Sequence, residues 1–455
     1  MNKKGPVIAL LFIGIVGIVV VIAILVSRVL NNGGSNNTGT IELNYMGLWD
    51  VPEVYEPLIQ EYQEKHPNIK ITYTKASFIN QNNFSYKGVY QTNAEERITS
   101  GAVDIVRVHQ TWIPKLLPQL YAAPSDVMTG TQAKELYYPA VYEAITTSNN
   151  LVYGAPQIVD GLVLIYNKEL FTQAQLDPRI STKDWDVTLQ TAKKLTKRNA
   201  NGTIAVAGIN MGSVSNVRSS PEILLTMLTQ SAIPVVNVDA GTGKIQADFA
   251  SPEGAAAINR FFEFANQKND KKEDIGAWSS RMEDDLQAFA NGRLAMLIAP
   301  SWRVIDLVGM NSALQFDTLP LPVLPGANPN VPQYLSSFWI DVVSKKSKNP
   351  KEAWAFLKWL GEPEQLRRVY KVQTEKRLIG NPYPRKDMAT EQASAPYISA
   401  VLEMAPKMKS WPLYDYGVWE ETFRKGLLEF EDRGGITEAD LKKIQDQINN
   451  LTLKR

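Results

Sequence analysis

The stretch LVYGAPQIVDGLVLIYNKELF, residues 151–171, decides how this chain is organised. It carries an aromatic, a glycine and a proline at Tyr153, Gly154 and Pro156. It then runs through Gly161, Leu162, Val163, Leu164, Ile165 and Tyr166, an apolar block of strand length. Asn167, Lys168, Glu169, Leu170 and Phe171 close it as a polar turn leading into a helix. Long regions of alternating strand and helix patterns lie on both sides. A short β-rich run between two such regions is the pattern of a chain crossing from one lobe to another.

Upstream, residues 41–46 alternate apolar and polar side chains as a first strand, and Gly47, Leu48, Trp49 and Asp50 form the loop after it. Residues 54–62 have apolar residues at helical spacing, and 68–74 place Ile69, Ile71 and Tyr73 on one face of a second strand. Strand, helix, strand predicts a parallel pair with a crossover helix. Residues 104–109 read as a third strand, with Gln110, Thr111 and Trp112 in the loop at its carboxyl end. Ligands of open α/β sheets bind beyond the carboxyl ends of strands, which is where this reading puts Trp49 and the run from His109 to Trp112.

Downstream, residues 185–195 and 221–228 read as helices and 203–210 as a strand. A turn at 239–243 joins short strands, and Ser251-Pro252 opens a further helix. In 284–304, DDLQAFANGRLAMLIAPSWRV, a short helix ends near Ala290, Asn291-Gly292 turns the chain, 294–299 is a buried strand and Pro300 begins another helix. Strands are expected at 315–321 and 335–343. Asn349 is positioned to cap a helix with Glu352 at its third position. A last helix spans 437–451, with Thr437 and Asp440 as its capping pair.

With 455 residues the chain is too long for one core, so two or three domains are expected. A net charge of +1 offers no broad basic field and excludes nucleic acid as an expected partner. The absence of cysteine removes disulfides, thiolate zinc, cysteine nucleophiles and lipid attachment at a cysteine. Two histidines, His66 and His109, are too few for a histidine-built metal centre. At the N-terminus, Lys3 and Lys4 precede an uncharged run over residues 6–26, and Arg28 follows. That run is long enough to span a bilayer and lacks a small-residue cleavage site, so an uncleaved anchor is expected ahead of a long cleaved signal. The lysines place the N-terminus in the cytoplasm and the rest outside. Residues 31–40, NNGGSNNTGT, read as a flexible tether.

Four patterns, in order along the chain, resemble extracellular solute-binding proteins of the maltose-binding type. They are Tyr166-Asn167-Lys168 followed by Glu169, Leu170 and Phe171; Ala288, Phe289, Gly292, Ala295 and Met296 followed by Trp302; Ser347-Lys348-Asn349-Pro350 with Glu352, Ala353, Phe356 and Leu357; and residues 375–380 as a second return between lobes. The polar residues that face sugar after the third strand in that type are not reproduced here. The resemblance covers residues 41–451. It implies an α/β fold of two lobes, the type II periplasmic-binding-protein fold, each lobe a mixed sheet flanked by helices; the uncharged run at residues 6–26 adds an N-terminal transmembrane helix ahead of it, because the cysteine that carries the family's usual lipid attachment is missing. The implied division is residues 1–30 as cytoplasmic N-terminus and anchor, 31–40 as tether, 41–158 plus 315–375 as lobe 1, and 159–314 plus 376–455 as lobe 2.

The same resemblance implies a monomeric extracellular protein, tethered to the membrane here by the N-terminal run. It would hold a sugar or oligosaccharide between its lobes and deliver it to the permease subunits of an ABC importer, without cofactor, metal or catalytic group. Sugars offer apolar C–H faces and polar rims, so a sugar site combines flat aromatics with donors and acceptors. The candidates are Trp49, Asp50, His109, Gln110, Trp112 and Trp339 on lobe 1, Asp160 at the crossover, and Trp302, Arg303, Tyr414 and Trp419 on lobe 2. Trp302 and Trp419 match positions that stack on sugar in the family. Each candidate also has a structural reading: Trp302, Trp112 and Trp339 as core, Trp419 as one turn of an amphipathic helix, Asp50 and Asp160 as caps or turn residues, His109 as a loop residue and Arg303 as a solvated helix residue. Trp354 and Trp359 are assigned to packing. The competing readings are an anchored extracellular enzyme acting on polysaccharide, which needs two carboxylates across the scissile bond, and a ligand-sensing ectodomain.

Overall fold

The computed structural model describes residues 39–76, 86–239, 242–265, 276–328 and 330–452. The expected anchor at 1–30 and tether residues 31–38 lie outside the described residues. Among the described residues no helix is long and apolar enough to cross a membrane.

Two five-stranded mixed sheets, each packed with helices, make up two halves of the molecule. The first is built from β1 (Ile41–Gly47), β2 (Ile69–Lys75), β3 (Ile105–His109), β4 (Ala155–Pro156) and a late strand, Trp339–Val343. β1 pairs in parallel with β2 and β3, with Ile41, Leu43 and Tyr45 opposite Ile69, Ile71 and Tyr73. The matched alternation buries Leu43 and Tyr45 against α1 (Pro52–Lys65). That helix turns Val54, Tyr55, Leu58, Ile59 and Tyr62 inward, an i, i+4, i+8 stripe. α2 (Tyr86–Ser100) covers the same sheet, and the Tyr90 hydroxyl donates to the Arg107 carbonyl at 2.6 Å.

The second sheet begins with β5 (Leu162–Asn167), the apolar block of the deciding stretch. Around it stand β6 (Lys197–Arg198), β7 (Ile204–Ile209), β8 (Leu294–Pro300) and β9 (Phe316–Leu319), in the order β9-β5-β8-β7-β6. β5 and β8 are almost wholly buried, which is why they read as continuous apolar runs rather than alternations. The helix Trp185–Leu195 lies so close to β7 that a Cβ at Gly208 would sit 2.0 Å from the Ala192 carbonyl oxygen. Also on this half are α3 (Ser220–Gln230), α4 (Arg303–Met310) and the terminal pair α7 (Tyr416–Glu431) and α8 (Glu438–Thr452). α5 (Pro350–Leu360) and α6 (Pro363–Lys376) pack on the first half, where the late strand, β10 (Trp339–Val343), runs antiparallel to β3 and β4. The Thr437–Asp440 capping pair forms, with the Thr437 amide donating to Asp440 at 3.0 Å and the Asp440 amide to Thr437 at 3.3 Å.

The chain passes between the halves along bonded segments. The Ser337 amide donates to the Asp160 carbonyl at 2.9 Å and the Val159 amide to the Pro382 carbonyl at 3.0 Å. Four expectations are corrected. A lobe 1 segment starting at 315 places β9 in the wrong half, because β9 pairs antiparallel with β5. The return after 375 does not lead straight to lobe 2, because Tyr383 and Met388 bury against Leu366 of α6. Asn349 precedes α5 but makes no side-chain capping bond; its amide instead donates to the Ser347 hydroxyl at 3.1 Å. The helix expected to open at Pro300 opens at Arg303, with Pro300 ending β8.

Candidate functional site

The carboxyl ends of β1 and β3, the crossover after β4 and the start of α4 meet at one place. Tyr73 lies over the end of β1, where a Cβ at Gly47 would fall 2.0 Å from its hydroxyl oxygen. That hydroxyl donates to the Asp50 carbonyl at 3.0 Å and pins the turn. Within the turn Trp49 takes φ 71°, a left-handed conformation that is uncommon for an aromatic residue and is stored here by the surrounding contacts. Its ring stacks on Trp302, from the other half, at 6.1 Å between centroids. Trp339, at the start of β10, stands edge-on to Trp49 at 6.1 Å and to His109 at 5.2 Å.

Beneath the rings lies a buried polar network. Arg107 grips Asp341 with two bonds of 2.9 Å and reaches Asp50 at 3.1 Å, with the hydroxyls of Tyr45 and Tyr55 at 2.9 and 3.0 Å. Tyr55 and Gln373 also donate to the Asp50 carboxylate, at 3.2 and 3.0 Å. The geometry is bidentate and fully bonded, the arrangement in which a buried ion pair is tolerated. His109 is bonded on both ring nitrogens, Nδ1 to the Thr111 hydroxyl at 2.8 Å and Nε2 to the Ser337 hydroxyl at 3.1 Å. Burial, with Lys87 nearby, holds its pKa well below the ordinary value, so the ring is neutral. Asp160 is also buried. Burial pushes its carboxyl up to about 7 against the pull of the Gly161 and Ser301 amides.

These groups enclose a cavity of about 470 Å³ between the halves. Trp49, Asp50, His109, Asp160, Trp302 and Trp339 all line it. Five candidates do not. Gln110 and Tyr414 line a second cavity of about 510 Å³, and the Gln110 amide is spent on the Ser336 carbonyl and the Phe338 amide at 2.9 and 2.7 Å. Trp112 is fully buried against Tyr90 and Trp339. Trp419 is 2% exposed and packs on Phe249 and Phe423, one helical turn away, so it is a core ring of the second half. Arg303 is neither solvated nor in the cavity: its guanidinium lies 4.2 Å from the Trp302 ring centroid and pairs with Asp306 at 2.6 Å, backing the tryptophan.

The cavity also holds residues that the sequence reading passed over, among them Lys87, Arg107, Ser337, Arg377 and Asn381. Arg107 had a signal, as a cation inside an otherwise apolar strand. Arg377 and Asn381 follow from the second return, since a segment that crosses between lobes runs along the edge of the gap. Lys87 and Ser337 carry no local mark.

A family model described as bacterial extracellular solute-binding protein matches residues 49–366. No curated protein matches the chain by sequence. Solved structures do resemble it. The sugar-binding protein MalE of the phytopathogen Xanthomonas citri superposes with a TM-score of 0.69 at 17% identity, covering 91% of this chain and 98% of that one. A cyclo/maltodextrin-binding protein complexed with maltotetraose gives 0.68 at 17% identity, over 91% of this chain and 96% of that one. CpMnBP1 with mannotriose bound gives 0.62 at 23% identity, over 90% of this chain and 100% of that one.

Proposed function

This chain belongs to the bacterial extracellular solute-binding proteins, and on that premise we propose that it captures a sugar or oligosaccharide in the cavity between its halves and hands it to an ABC importer. The observation that carries this reading is the wall of three indole rings, Trp49 and Trp339 from the first half and Trp302 from the second. Flat apolar faces beside buried donors and acceptors suit the C–H faces and hydroxyl rims of a sugar. The sugars named for the similar structures support the same class of ligand. Trp49, Asp160, Trp302 and Trp339 are the ligand contacts in this reading. Asp50 and His109, whose polar atoms are already bonded within the protein, shape the wall instead.

The lobes are assigned by sheet: lobe 1 is the sheet of β1, β2, β3, β10 and β4 with α1, α2, α5 and α6; lobe 2 is the sheet of β9, β5, β8, β7 and β6 with α3, α4, α7 and α8. Binding and release follow from hinge motion on the bonded crossings, with no catalytic step. The uncharged run at residues 6–26 anchors the protein to the membrane from the extracytoplasmic side, and the tether after it lets the monomer reach the permease subunits.

A thermal-shift screen of mono- and oligosaccharides, polyols, amino acids and peptides tests the ligand class. A compound that binds only the native state raises the melting temperature. A rise with saccharides alone supports the reading, and a rise only with amino acids or peptides overturns it. Stimulation of the importer's ATPase by the loaded protein tests delivery.

A further inference from the structure

A separate cavity of about 210 Å³ is lined only by residues of the first lobe and of the return segment bridged to it at Tyr137 and Arg385. It opens between the helix Gly130–Leu136, β4 and the junction of α5 with α6. Met128, Leu136, Pro156, Trp354 and Leu357 give it apolar walls. Gln157, the residue after β4, stands among them at 2% exposure. Neither its Oε1 nor its Nε2 has a hydrogen-bond partner among the described residues. The next residue, Ile158, lines the cavity between the lobes, so one crossing segment borders both spaces.

A buried amide without bonds forfeits the hydration of its donor and its acceptor, and native interiors rarely keep one. The charged groups at the mouth do not answer it. Lys358 donates to the Asp126 carbonyl at 3.0 Å. Arg385 holds Asp387 with bonds of 3.0 and 2.7 Å and reaches the Gly361 carbonyl at 3.3 Å. Glu362 stands exposed at the rim. Away from the mouth the wall carries no charge, only a donor and an acceptor side by side on one carboxamide. The terminal torsion of glutamine is soft, so that edge can turn toward the cavity. Gly361 leaves the approach clear, since even a Cβ there would lie 4.0 Å from Gln157 Nε2.

A hydroxyl both donates and accepts, so two neighbouring hydroxyls meet a carboxamide edge with two bonds. The C–H groups between them suit the apolar walls. A charged group would be desolvated there without a counter-ion. The space admits one sugar ring or a short polyol and not a chain of rings. We propose that the cavity at Gln157 is a second ligand site, for a neutral hydroxylated molecule no larger than one sugar ring. The site belongs to one lobe and is independent of whether the cavity between the lobes takes a saccharide.

Gln157 supplies a local readout. In the full chain labelled with nitrogen-15 at glutamine, the side-chain signal missing from Gln157→Leu is that of the Gln157 carboxamide, and Gln157→Met identifies it if the leucine variant fails to fold. D-glucose, D-mannose and erythritol are titrated against this signal, with L-alanine and acetamide beside them. A saturable shift is expected with at least one hydroxylated compound and with neither of the others. It should persist in Trp302→Ala, which disables the cavity between the lobes. In Gly361→Leu the dissociation constant should rise by about tenfold or more. Gly361 has φ −83°, so the added side chain meets no backbone strain and fills the approach instead. No shift, or one that grows without saturating, means that water alone bonds the carboxamide and overturns the site. Loss of the shift in Trp302→Ala, an unchanged dissociation constant in Gly361→Leu, or saturation by alanine or acetamide overturns it as well.

Discussion

Trp49 and Trp302 lie nearly parallel across the interlobe cavity, 6.1 Å between ring centres and 21° between planes, although 253 positions separate them in the chain (302 − 49). The spacing falls within the range of offset aromatic stacking. It is too small for a guest held flat between the two faces. A sugar ring touching both needs about 3.5–4.0 Å on each side, or roughly 7–8 Å in all. The rings therefore occupy each other's faces, and a sugar placed between them must part them.

Replacing either ring by alanine should weaken saccharide binding by about 1–3 kcal/mol, the range of anchoring aromatics. Titration calorimetry on Trp49→Ala and Trp302→Ala, with the best saccharide from the screen, checks this. Unchanged affinity in both variants removes the cavity from consideration as the binding site. Trp302→Ala has a further consequence, since the Arg303 guanidinium rests on that ring and loses its support.

Trp112→Ala and Trp419→Ala belong to a different class. Each empties a buried site, so each should lower folding stability by about 3–5 kcal/mol. Denaturant unfolding measures it. Retained stability with lost saccharide binding in Trp419→Ala would reverse the assignment of that ring to the core of the second lobe.

These contrasts show what the sequence made legible. The strands β1, β2, β5 and β8 announced themselves because alternation marks a sheet with one covered face and a continuous apolar run marks a doubly covered one. Trp302 was found through the motif that ends β8. Trp419 was misplaced because helical spacing shows that a residue lies on a stripe but not whether the stripe faces a core or a gap. Lys87 and Arg107 were missed for a related reason. A charged residue on a helix or strand defaults to solvent, and its burial is licensed only by partners 135 and 234 positions away, Glu222 and Asp341. The extent of β9 was seen but its half was not, since pairing with β5 is a fact of register.

Arg107 is the residue whose loss should be felt most widely. Arg107→Met leaves the Asp50 and Asp341 carboxylates buried without their shared cation. Destabilisation by about 3–5 kcal/mol is expected. The turn carrying Trp49 loses its anchor at Asp50, so saccharide affinity should fall as well. Urea midpoints and calorimetry read the two effects, and a variant with the parent's midpoint would show that the network is incidental.

Asp160 makes stability depend on pH in a direction opposite to that of most carboxylates. Its pKa rises from an ordinary 3.8 to about 7 because burial disfavours the charged form. The folded protein thus holds this proton more tightly than the unfolded chain does. The resulting stability is fully present below the unfolded pKa and is lost as pH rises through the folded one. A shift of this size corresponds to roughly 4 kcal/mol when complete. Glu420, half-buried and pushed up to about 7 by desolvation, adds to the same trend. Asp160→Asn keeps an oxygen for the Gly161 amide, which donates to the carboxylate at 2.8 Å, and cannot ionise. Between about pH 5 and about pH 8 its urea midpoint should fall less than that of the parent, so that the variant gains relative to the parent on the alkaline side. Parallel midpoint curves for the two proteins would mean that water reaches Asp160 in the folded state and that the crossover is not sealed.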